Sequence, residues 1–150
     1  MRRLSGAPDR RWRTVRSGRS GRPLSRSSGR LLREERGPLV TSGVAIAEAD
    51  YLILTRLGID VELAFLDDLA EGTFVVESLT RNELGVARDL ARCHRDLELG
   101  LADVSIVVLA HRYATRRIVT FDERAFRTLA PLQGGAFTVL PADSELREQS

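Results

Sequence analysis

From Pro38 onward the apolar positions fall into blocks whose spacing alternates between that of strands and that of helices. Pro38 to Thr41, a short apolar run after Gly37, reads as a brief strand, and Val44 to Leu57 continues as a helix that Gly58 terminates. Asp60 can cap a second helix, Val61 to Ala70, in which Leu63, Ala64, Leu66 and Leu69 recur at helical spacing before Gly72 closes it. Phe74 to Glu77 is a strand. Thr80-Arg81-Asn82-Glu83 matches a capping box, in which hydroxyl and carboxylate each satisfy an orphan backbone amide, so a helix through about Cys93 is predicted. Leu101 to Ala114 is nearly all apolar and too long for one strand, hence a buried helix. Arg117 to Phe121 is a strand with β-branched residues at its centre, and Asp122 follows directly. A short helix over Glu123 to Leu129 and a last strand at Phe137 to Leu140, set off by Gly134-Gly135 and Pro141, complete the pattern. Strands alternating with helices predict an α/β sandwich, its sheet parallel and its helices on both faces.

Ahead of this region, Met1 to Gly29 scatters apolar residues singly, with neither helical nor strand period sustained, and reads as disordered. The expected organisation is an Arg/Ser/Gly-rich segment over 1–30, a folded domain over 31–141 and a polar tail over 142–150; a chain of 150 residues suits one core. Charge divides at the same place. Residues 1–36 carry twelve arginines against Asp9, Glu34 and Glu35, a net +9, whereas residues 37–150 carry eleven arginines against eighteen acids, a net −7. An arginine-rich arm of this kind can bind nucleic-acid phosphates in a salt-dependent way, with Trp12 free to stack on a base. Gly6, Pro8, Gly18, Gly21 and Pro23 would break the amphipathic helix of an organelle transit peptide, and no apolar stretch of a secretory signal follows the basic start. Val104 to Ala110 runs straight into His111 and Arg112, so no segment approaches the roughly 20 apolar residues of a membrane span. Cys93 is the one cysteine, which excludes an intramolecular disulfide and fits a reducing cytoplasm.

Three carboxylates stand where ordinary surface acids do not. Glu48 is surrounded by apolar neighbours in Val44 to Leu54, and its setting is either partly buried or a polar stripe shared with Asp50 and Arg56. Asp103 opens a helix otherwise too apolar to be solvated, where a carboxylate favours the positive end of the helix dipole or serves as the N-cap. Asp122 follows one strand and precedes a helix, which a cap would also explain. In an open α/β sheet the strand carboxyl ends and the helix N-termini that follow them share one rim, the usual place for ligands. Acids gathered there repel one another unless a divalent cation neutralises them, and a hard cation such as Mg²⁺ activates water against a phosphodiester. The residues of dinucleotide, P-loop, zincin and zinc-ribbon motifs are missing. A receiver-like phosphoryl acceptor would use similar acids but relies on a lysine, and the chain has none. His94 and His111 read as surface or core residues, and Cys93 as a buried thiol near a helix end.

The segments PLVTSGVAIAEADYLI, DLELGLADVSIVVLAHRYATRRIVTFDERAF and LQGGAFTVLP together resemble PIN-domain ribonucleases, in particular the VapC-type toxins, over about Leu31 to Pro141. The resemblance implies a PIN-like three-layer sandwich and Mg²⁺- or Mn²⁺-dependent cleavage of RNA. It also implies restraint by a VapB-like antitoxin and a homodimer in the cytoplasm. By position, Glu48 matches the family's helix acid, Asp103 its internal metal-binding Asp and Asp122 the acid after the T-x-D strand, with Thr120 in support. Asp96 matches an acid before the Gly-Leu segment and is given no role. The family opens on an apolar central strand that ends in Asp-Thr or Asp-Ser and supplies a first metal-binding Asp. Here no apolar run stands at that place and Asp9 follows none, so the N-terminal central strand is expected to be absent, as if an unrelated start or another reading frame replaced it. Its loss would make the chain either a toxin with a weakened site or an inactive remnant that only binds antitoxin or RNA.

Overall fold

The computed structural model describes residues 13–16, 39–120, 123–140 and 142–143. Five short strands form one sheet: β1 (Arg13–Arg16), β2 (Leu39–Ser42), β3 (Phe74–Glu77), β4 (Arg117–Thr120) and β5 (Thr138–Leu140). Their spatial order is β3-β2-β1-β4-β5 and every pairing is parallel. The helices are α1 (Gly43–Leu57), α2 (Ile59–Ala70), α3 (Arg81–Cys93), α4 (Leu101–Arg112) and α5 (Glu123–Thr128), with a 3₁₀ turn at Arg95–Leu97. The α/β class with a parallel sheet is as expected.

The central strand corrects the sequence reading. Arg13–Arg16 is present, fills the middle of the sheet, and pairs with β2 on one side (Arg13 with Leu39, Thr14 with Val40) and with β4 on the other (Thr14 with Ile118, Val15 with Val119, Arg16 with Thr120). Two β-branched residues between two arginines are too few to show a strand period, and the flanking ladders supply what the local sequence does not. Of the segment expected to be disordered, these four residues are therefore strand. The remainder, Asp9 and Trp12 included, lies outside the described residues, as do Phe121, Asp122 and most of the tail.

Elsewhere the local chemistry acts much as read. Thr80 and Glu83 close a reciprocal capping box on α3, the Thr80 backbone N–H donating to Glu83 Oε2 at 2.8 Å and the Glu83 N–H to Thr80 Oγ1 at 3.3 Å. Gly58, at φ 89° and ψ 178°, takes an extended positive-φ conformation essentially confined to glycine, which stops α1. It also serves as the N-cap of α2, so Asp60 lies inside the first turn instead of capping it. Cys93 is exposed at the end of α3, not buried, because only Ala87 of that helix is buried among its packed neighbours. Helix α4 is buried from Ala102 through Ala110 and packs against β1, β2, α1 and α3. That makes it an internal helix, apolar all round. The main core joins Ile106, Val107 and Ala110 of α4 to Ala45, Ile118, Val139 and the edge-on pair Phe126–Phe137, whose ring centres are 6.1 Å apart.

Candidate functional site

The strand order places the candidate site before any side chain is considered. From β1 the chain adds β2 and then β3 on one side, and later adds β4 and β5 on the other, so the direction of winding switches at β1 and β4. A crevice opens at such a switch outside the strand carboxyl ends, because the connections on either side leave in opposite directions. Here that edge carries Arg16 at the end of β1, Ser42 at the end of β2 and Thr120 at the end of β4. With strands about 4.8 Å apart, Ser42 and Thr120 stand on the order of 10 Å apart across β1.

Asp103 sits in the first turn of α4, 7% exposed. Gly100 is the N-cap; Asp103, three residues on, reaches back so that its Oδ2 accepts the Gly100 backbone N–H at 3.1 Å. The carboxylate therefore faces the positive end of its own helix, which lowers the cost of burying its charge. Glu48 lies in the second turn of α1, half-buried, on the flank of a stripe formed by Ala45, Ala49 and Ile53. Small residues on that stripe let α1 approach α4 closely, and Ala45 belongs to the same core as Ala102 and Ile106. Thr120 is buried at 1% exposure. Asp122 follows it by two residues, outside the described part. Asp96 lies in the 3₁₀ turn before α4. Of the two histidines, His94 is half-buried with Nδ1 3.1 Å from the Leu90 carbonyl, and His111 is exposed. Among the described residues no three of His, Cys, Asp and Glu come together closely enough to hold a metal ion.

Two groupings escaped the sequence reading. At the carboxyl end of β2, Ser42 Oγ is 2.7 Å from Ser105 Oγ, joining the α1 and α4 starts. Ser42 directly before a Gly-initiated helix was a recognisable N-cap signal; Ser105 inside an apolar run gave none. Beyond the edge strand, Arg112 donates to Glu83 Oε1 at 2.8 Å, Glu77 Oε2 at 3.0 Å and the Ser78 carbonyl at 2.9 Å. The guanidinium, aided by the Thr80 amide, holds Glu83 down to about 2, and burial together with Glu77 pushes the Tyr113 hydroxyl up to about 12.

A parallel α/β sheet with a switch point between β1 and β4 is the kind of fold that binds ligands outside its strand carboxyl ends. Residues 17–131 match the PIN domain family, and this chain belongs to it. It is also 45% identical over 103 residues, 69% of its own length and 76% of the relative's, to Ribonuclease VapC26 of Mycobacterium tuberculosis (strain ATCC 25618 / H37Rv). The matched region begins at residue 17, directly after the last residue of β1.

Proposed function

We propose that the chain is the toxin of a type II toxin–antitoxin pair, a Mg²⁺- or Mn²⁺-dependent endoribonuclease that a VapB-like antitoxin restrains and that works as a homodimer. The observation that carries this reading is Asp103, a carboxylate kept in a buried helix start that Ser105 ties to Ser42 at the strand carboxyl ends. Likeness to a ribonuclease over most of the chain supports it. The donor chemistry fits a hard cation, since Glu48, Asp103 and Asp122 offer carboxylate oxygens and the described residues at the rim include no thiolate. Those three would hold the ion, with Thr120 in support. When bound, the ion supplies an activated water and a counter-charge for the phosphate under attack. The protein's part is to hold the acids: the Gly100 amide orients Asp103, and α1, packed against α4, carries Glu48. Purified chain should cut RNA with Mg²⁺, stop with a chelator, and fall to background as Asp103→Ala. Cleavage that survives that substitution would sink the reading.

One observation favours the second reading, an inactive remnant. The last residue of the central strand is Arg16, where the family resemblance calls for an acid, so this position offers no carboxylate to a divalent ion. Arg16→Asp should tighten Mn²⁺ binding measured by titration. If the unaltered chain binds Mn²⁺ as tightly as the variant, the remnant reading loses its basis.

A further inference from the structure

We propose that Ser42 and Ser105 act as one positioning device, a buried hydroxyl relay that sets the distance between the helix carrying Glu48 and the helix carrying Asp103; the proposal rests on the acid-site reading above. Ser42 is 2% exposed and Ser105 fully buried, so neither hydroxyl has water as an alternative partner. Ser105 Oγ donates to the Ala102 carbonyl at 2.7 Å, which uses its only proton. The 2.7 Å contact between the two hydroxyls must then be donated by Ser42. Ser42 in turn accepts the Ala45 backbone N–H at 3.0 Å, capping α1. The direction is thus fixed throughout: Ala45 amide to Ser42, Ser42 to Ser105, Ser105 to Ala102.

Each end of this relay is a backbone group beside a candidate ligand. Ala102 immediately precedes Asp103, and the Ala45 amide opens the turn that leads to Glu48. Apolar packing holds α1 against α4 without specifying how far one helix slides along the other, because small side chains such as Ala45 and Ala102 interlock weakly. A directional hydrogen bond between the two starts does specify it. A plainly structural serine pair would contribute to stability alone. A positioning pair must also alter how well the two carboxylates fit one ion.

The test is isothermal titration of Mn²⁺ into the full chain and its variants, well below their melting temperatures, with metal-free melts alongside. Ser105→Ala should weaken Mn²⁺ binding roughly fivefold, the equivalent of one typical hydrogen bond. Ser105→Thr, which keeps the hydroxyl, should recover most of that loss. Val139→Ala, a cavity in β5 remote from the relay, should lower the melt and leave Mn²⁺ affinity unchanged. Equal affinity for Ser105→Ala and the unaltered chain, with binding abolished by Asp103→Ala, overturns the relay and spares the acid site. Failure of the unaltered chain to bind Mn²⁺, or binding indifferent to Asp103→Ala, overturns both. Weakening by Val139→Ala to the same degree would show that general softening, not the relay, governs the site.

Discussion

Arg112 joins three parts of the chain that lie far apart in sequence, and its partner Glu83 shows what that does to proton affinity. Glu83 falls from an ordinary 4.5 to about 2 because the guanidinium and the Thr80 amide favour its charged form. The folded chain therefore holds this proton less tightly than the unfolded chain does. The resulting stability is complete above the ordinary value and drains away as pH falls from about 4.5 toward 2. Glu83→Gln should accordingly flatten the acid side of a plot of melting temperature against pH, and an unchanged acid limb would contradict this. Glu62 runs the other way. It is 3% exposed, neither oxygen meets a donor among the described residues, and burial plus the Asp50 carboxyl raise its proton affinity. Its contribution is complete at acidic pH and is lost as pH rises through the raised value. Glu62→Gln should therefore raise the melting temperature at neutral pH and leave it nearly unchanged at pH 4. Neither shift was legible in the sequence, where Glu83 read as half of a capping box and Glu62 is one acid among several on α2.

Among the elements, α3 is the one most completely written in its own residues. Thr80 and Glu83 supply both halves of the capping box, and the helix spans Arg81–Cys93, as the pattern predicts. Thr80→Ala should cost about 1 kcal/mol, read from denaturant midpoints, because the Glu83 amide loses its acceptor. Helix α2 is the contrary case. Its apolar residues recur at helical spacing, yet Ile59, Leu63 and Leu66 are exposed and the buried residue is Glu62. The periodicity identified the helix correctly and said nothing about which face would be covered. Strand β1 goes further, for no local signal marked it at all. Its place depends on hydrogen bonds from both neighbours, which no reading of Arg13–Arg16 alone contains.

For the whole molecule, the position of β1 changes where the domain begins. Residues 31–141 read in the sequence as a domain incomplete at its N-terminus, and a sheet of order β3-β2-β1-β4-β5 divides into two separate pairs once β1 is removed. A chain lacking residues 1–30 should lose its cooperative melt, followed by circular dichroism, whereas one lacking residues 1–12 should keep it. A cooperative melt in the shorter chain would mean that the two halves hold together through α4 alone. What the sequence determined by itself was local: alternating strands and helices, the α3 cap, the Gly58 stop, the buried α4, and three acids in unusual company. These follow from propensity, periodicity and capping, each of which acts over a few residues. The tertiary structure alone decided which strand is central, that Ser42 and Ser105 meet, that Arg112 reaches Glu83, and that Asp103 is turned back on Gly100 beside the switch point. Those outcomes depend on contacts between residues far apart in the chain, and the free energy that selects them comes from burial and ladder pairing of the assembled sheet, not from any segment on its own.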